Sequence, residues 1–235
     1  MNTFLRKSMS LTRRVATSSA FKAHGLPRRQ FSAASNLSSL IEQEIAEEDP
    51  ADELPAGLAE LKDSLASKWT IVEGDSTSTD ASGATVKMYR KDPTPTGGKV
   101  SVTFHCQDTV DDEEISGSVF GDGDDEEFSP PLQFMVTLSK GGKELKMNCI
   151  SEDAKASVDG MIIHPNESSL DEIQEMYRGP VLDDLPEAFR DGLDEFLRDD
   201  CGVDEDVAAF VAMYSDHREQ AEYLSWLNDL NKLVK

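Results

Sequence analysis

Two rhythms divide the chain. Between residues 68 and 164 apolar and polar positions alternate, whereas on either side apolar residues recur every three or four positions. The clearest alternation is Val100, Val102, Phe104 and Cys106 against Ser101, Thr103 and His105, which predicts a strand with one apolar face. Trp69 and Ile71, then Val86 and Met88, predict two earlier strands. Leu132, Phe134, Val136 and Leu138 predict a fourth, and Leu145, Met147 and Cys149 a fifth. Residues 160–164 give a sixth, and residues 176–179 a short seventh. Gly97-Gly98 and Gly141-Gly142 fall between successive strands, where tight hairpins need positive φ. Strands joined this way form an antiparallel sheet, wet on one face and covered by helices on the other. The expected class is α+β: a seven-stranded antiparallel sheet with one N-terminal helix and two or three C-terminal helices.

The helical rhythm is strongest at the C-terminal end. Leu185, Phe189, Leu193, Phe196 and Leu197 line one face of a helix predicted to start near Asp184, with Pro186 in its first turn. Gly202 reads as its left-handed stop and Asp204 as the cap of the next helix, whose face is Val207, Phe210, Val211 and Tyr214. Beyond Ser215 the pattern resumes in Tyr223, Trp226, Leu227, Leu230, Leu233 and Val234, either as one bent helix or as a second one. That seam is close to a heptad stripe and calls for a partner helix, in the chain or on a neighbouring subunit. On the N-terminal side, Asn36 or Ser38 can cap a helix with Leu37, Leu40, Ile41 and Ile45 on one face, and residues 58–65 can add a short turn.

Charge changes the picture. The 235 residues carry a formal charge of −23, from 46 acidic and 23 basic residues. Residues 1–31 hold seven basic residues (Arg6, Lys7, Arg13, Arg14, Lys22, Arg28 and Arg29), no acidic one, and frequent Ser and Thr. Arg13 and Arg14 interrupt any apolar core, so the segment reads as a mitochondrial presequence rather than a secretory signal. Loss of those seven positive charges takes the remaining domain, residues 32–235, from −23 to −30. Such a surface attracts basic partners and repels phosphate and anionic lipid at long range, and no apolar run approaches a membrane span.

The acid is concentrated in one segment, residues 108–128, between the third and fourth strands. Asp108, Asp111, Asp112, Glu113, Glu114, Asp122, Asp124, Asp125, Glu126 and Glu127 stand there with no basic residue. It reads as a solvated loop, either serving solubility alone or forming a landing surface for Lys- and Arg-rich partners. Asp122, Asp124 and Asp125 do not fit the alternating acids, central Gly and terminal Glu of a calcium loop, so weak divalent binding is the most they suggest.

Chemical signatures are lacking elsewhere. Cys106, Cys149 and Cys201 are odd in number and in no metal-ligand spacing, and are expected as buried free thiols. Gly142 and Lys143 are followed by Glu144, not by a phosphate-loop hydroxyl, and Gly-x-Ser-x-Gly and His-Glu-x-x-His do not occur. His105 and Cys106 are neighbours on a strand and point to opposite faces. His164 and His217 have no recognisable catalytic neighbours and are expected at the surface or its boundary. A non-enzymatic protein with no cofactor and no metal is expected. Lys87, Arg90, Lys91, Lys99, Lys140, Lys143 and Lys146 fall in the strand region, so RNA is disfavoured by the overall charge without being excluded.

A series of C-terminal motifs carries a resemblance. Tyr177-x-Gly179-Pro180-Val181 is followed by Phe196-Leu197 and Gly202-Val203, then by Tyr223-Leu224-x-Trp226-Leu227-x-x-Leu230. This order resembles the mitochondrial acidic matrix protein family, also called the mitochondrial glycoprotein family, one animal member of which is described as a receptor for the globular heads of a complement component. The resemblance implies a seven-stranded antiparallel sheet with an N-terminal helix that pairs with the C-terminal one. It also implies closure of three subunits into a ring and residence in the mitochondrial matrix. It further implies support of mitochondrial ribosomes, translation and oxidative phosphorylation. Matrix delivery bypasses the glycosylation machinery, so the sequons at Asn36 and Asn166 read as chance.

Overall fold

The computed structural model describes residues 33–48, 54–73, 84–110, 131–152 and 154–235. Its centre is a six-stranded antiparallel sheet of β1 (Trp69–Glu73), β2 (Thr85–Arg90), β3 (Lys99–His105), β4 (Leu132–Lys140), β5 (Lys143–Glu152) and β6 (Lys155–Pro165), each paired with its neighbour in sequence. Two N-terminal helices precede it, α1 (Ala33–Glu47) and α2 (Ala56–Leu65). After it come α3 (Leu170–Glu175), α4 (Glu187–Glu195) and α5 (Glu205–Val234). The short turn foreseen at residues 58–65 is thus a ten-residue helix.

The period of two sorts each strand into a dry and a wet side. Val86, Met88, Val102, Phe104, Phe134, Val136, Met147 and Cys149 are buried together with Leu58 and Leu65 of α2 and Val207, Phe210, Val211 and Tyr214 of α5. Tyr214 anchors this core: its ring meets Phe104 edge-on at 6.5 Å and stacks on Phe210 at 4.8 Å. The Lys62 ammonium lies 5.2 Å from the Tyr214 ring centre. At the far side of the sheet, a bulge in the β5–β6 register at Asn148/Cys149 sits beside Val158, whose backbone N–H donates to the Asp194 carboxylate at 3.1 Å. That bond fastens the last strand to α4.

The helix after Leu185 begins later than the sequence suggests. Residues Leu182–Asp184 form a single 3₁₀ turn, Leu185 is extended, and Pro186 stands at the cap position before Glu187. Proline biases its predecessor away from helical geometry, which explains the delay. Phe189 is half exposed rather than buried, so the face narrows to Leu193, Phe196 and Leu197. The helix closes in a π turn, Phe196–Asp200, in which the Cys201 N–H reaches the Phe196 carbonyl at 3.0 Å. Gly202 (φ +74°) then reverses the chain as foreseen, and the Arg90 guanidinium occupies the space a side chain there would need. Arg90 also donates to the Asp200 carbonyl, and the Lys91 ammonium donates to the Ala66 carbonyl at 2.5 Å. These two cations tie the end of β2 and the residue after it to the helical layer, Arg90 partly buried and Lys91 exposed.

No strand forms at residues 176–179. Gly179 adopts φ +86° with the Met161 carbonyl close against it, and Pro180 has no N–H to offer a ladder, so the segment runs as irregular chain beside β6. Three further expectations need correcting. Helix α1 starts at Ala33, so Ser38 lies inside it and is no cap: its hydroxyl donates to the Asn231 side-chain carbonyl at 2.8 Å. His164 is only 2% exposed, not a boundary residue; Nδ1 lies 2.8 Å from the Pro165 carbonyl oxygen and Nε2 3.7 Å from the Glu144 carboxylate. Ser215 marks no break, because α5 runs unbroken for 30 residues and buries Ser215 inside the helical layer.

The predicted C-terminal seam meets α1. Tyr223 donates to Glu44 at 3.1 Å, Gln220 to Glu48 at 2.8 Å, and Lys235 pairs with Glu42 at 2.8 Å, so the two helices run antiparallel. Leu227 is buried, and Leu230 and Val234 are partly so. Trp226 and Leu233 are not: they are 57% and 84% exposed, as Leu37 and Leu40 are on α1 at 42% and 55%. The apolar positions 223, 226, 227, 230, 233 and 234 occupy three places of the heptad, a wider stripe than the two-place seam one partner helix covers, which is why the seam divides.

Candidate functional site

The acidic segment leaves the sheet between β3 and β4, and the described residues on either side of it, 108–110 and 131–133, are fixed there. Thr109 pairs with Leu132 as an isolated bridge, the Val110 N–H donates to the Pro131 carbonyl at 2.9 Å, and the Gln133 N–H donates to the Asp108 carbonyl at 2.7 Å. The chain therefore departs and returns through a single bridged pair at the sheet end. Of the ten predicted acids, only Asp108 lies within the described residues, exposed at this root. Asp111, Asp112, Glu113, Glu114, Asp122, Asp124, Asp125, Glu126 and Glu127 lie outside them.

Beside the root, the wet face of the sheet carries a concavity of about 280 Å³. Thr85, Thr103, His105, Asp108, Gln133, Met135 and Asn148 supply its side chains. The strand register explains the grouping: Thr85 stands opposite His105, Thr103 opposite Met135, and Met135 opposite Asn148. Three antiparallel pairings thus bring residues from four strands onto one patch, as the alternation of side chains requires. The His105 Nδ1 accepts from the Gln107 N–H at 3.2 Å, which places the ring proton of the neutral form on Nε2. The Asp108 N–H donates to the His105 carbonyl at 3.1 Å, so Asp108 is held by its backbone on both sides. Alternation alone placed Thr103 and His105 on the wet face. Grouping them with Gln133 and Asn148 needed the pairing register, which sequence spacing does not reveal.

The thiols are placed for packing. Cys149 and Cys201 are fully buried and Cys106 nearly so. Burial pushes Cys201 up to about 11 and Cys149 further up, and it also raises Cys106 with help from Glu222 and Glu219. Burial of all three disfavours the thiolate, the form that attacks or binds metal. No group of three or more His, Cys, Asp or Glu suited to a metal occurs among the described residues. Among them, too, no helix is long and apolar enough to cross a membrane.

Comparison with known proteins bears on the whole arrangement. A solved Leishmania major protein, described as of unknown function and a sequence homologue of human p32, superposes with a TM-score of 0.58 at 16% identity, covering 87% of this chain and 100% of its own. The Trypanosoma brucei p22 protein superposes with a TM-score of 0.56 at 20% identity, covering 86% of this chain and 99% of its own. At such identities the likeness is one of fold. The model of the mitochondrial glycoprotein family (MAM33) matches residues 41–234, nearly the whole span from α1 to α5. The chain belongs to the mitochondrial glycoprotein family.

Proposed function

We propose that this protein is a non-enzymatic acidic platform of the mitochondrial matrix that binds basic proteins. The observation that carries the reading is the segment of ten acids and no base in a stretch that is tethered at one end of the sheet by the pairing of Thr109 with Leu132. Carboxylates without internal cations must find counterions, and Lys- and Arg-rich chains supply them. The acidity of the domain beyond residue 31, at −30, extends the attraction over the surface. Mitochondrial ribosomal proteins are basic clients of the kind the reading requires, and support of translation and oxidative phosphorylation would follow from holding them. Leu37, Leu40, Trp226 and Leu233 on the α1–α5 pair support a homo-oligomer, for which a trimeric ring is the form proposed.

The test is affinity for a short lysine peptide at low salt and at about 0.5 M salt, where a binding mode made of exposed charge pairs weakens by about tenfold or more. Unchanged affinity would sink the platform. The competing reading is a structural or multi-ligand receptor protein whose acid serves only solubility, with at most weak divalent binding. Exchange of the ten acids for Asn and Gln separates the two, because that reading predicts client binding as before.

A further inference from the structure

The concavity on the wet face of the sheet has a chemistry of its own. Five of its side chains, Thr85, Thr103, Asp108, Gln133 and Asn148, make no hydrogen bond among the described residues, so their acceptors are unspent. Together with Met135 and the imidazole of His105, whose Nδ1 is already taken by the Gln107 N–H, these residues line the pocket with one carboxylate, two carboxamides and two hydroxyls. Resting on the platform reading above, we infer that this pocket holds the guanidinium of an arginine side chain from the basic partner.

The argument is one of fit. A guanidinium is planar, offers five donors in a fixed fork, and is weakly hydrated, so a pocket with a carboxylate at one end and neutral acceptors along its walls receives it well. The Asp108 carboxylate can take two parallel N–H bonds, because its backbone is held through its own N–H and carbonyl before any ligand arrives. Planar Gln133 and Asn148 supply further acceptors, and Met135 offers a soft surface to the arginine methylenes. A volume of about 280 Å³ suits one side chain rather than a larger ligand. A lysine ammonium is compact and strongly hydrated and carries only three donors, so it leaves the walls unpaired. Lys87, exposed on the same face opposite Thr103, repels either cation and favours neither. The prediction is therefore selectivity, where the platform alone predicts only attraction.

Calorimetric titration of the full chain with capped hexa-arginine and hexa-lysine peptides tests this. The wild type is expected to bind the arginine peptide about fivefold to tenfold more tightly, the scale of one well-placed bidentate contact. In the double variant Gln133→Ala/Asn148→Ala that preference is expected to fall to parity while the lysine peptide binds as before. Both side chains are exposed, so the circular dichroism spectrum and melting temperature should match the wild type. Asp108→Asn should reduce arginine binding more than lysine binding. Parity in the wild type, or a preference that survives the double variant, overturns the pocket and leaves the platform standing. If neither peptide binds, both ideas fall together.

Discussion

The two halves of α5 belong to one unbroken helix and do different work. Between Val207 and Ser215 every residue facing the sheet is 2% exposed or less, with Phe210 stacked on Tyr214, whose ring meets Phe104 edge-on. Between Tyr223 and Val234 only Leu227 and Asn231 are buried, and the contact with α1 is held by polar links from Tyr223, Gln220 and Lys235. The first half is specified by shape against a sheet. The second is specified by a narrow seam with one buried polar pair, Ser38 and Asn231, towards its C-terminal end. Such a pair fixes register, since a slid helix would leave both groups dry and unbonded.

The sharpest way to break this contrast is Phe210→Ala, which should cost about 3–5 kcal/mol through the cavity it leaves. Urea unfolding measures it, and a cost close to zero would show that the first half is not the core. Next in size is Asn231→Ala, expected to cost about 1–3 kcal/mol by stranding the Ser38 hydroxyl in a buried site. Adding Ser38→Ala should recover part of that loss, and a double-mutant cycle without coupling would mean that the pair does not act as a pair. The smallest effect on stability, within about 0.5 kcal/mol, is expected for Leu233→Ser, since that side chain lies in solvent. Its readout is mass by light scattering: a lighter particle than the wild type supports a neighbouring copy on this face, and an unchanged mass argues against one.

The contrast also shows what the sequence carries. Alternation at Val100 to Cys106 identified a strand and its buried face because period two leaves no other way to hide those residues. Gly202 and Asp204 were legible for local reasons: one adopts positive φ, and the other accepts from the Val207 N–H at 3.2 Å. His164 was misread, because its burial comes from tertiary packing that no neighbour in sequence signals. The short seventh strand expected at residues 176–179 was overread, because Gly179 and Pro180 prevent pairing there. The pocket grouping was illegible because it depends on which residue of β3 faces which residue of β4. As for the acid, residues 108–128 announce its amount, while only the pairing of Thr109 with Leu132 says where it is tethered.

The meander of the sheet has a consequence for the order in which the molecule is made. Each strand pairs with the one just before it, so the sheet can assemble hairpin by hairpin as the chain is delivered. Helix α1 cannot join in. Its partner in the chain lies 193 residues away, at Asn231, four residues from the carboxyl end. A chain arriving amino end first must keep α1 waiting, with its apolar stripe uncovered, until the second half of α5 appears. The two ends then close like a clasp, and a truncation of a few C-terminal residues should leave the sheet built and the clasp open.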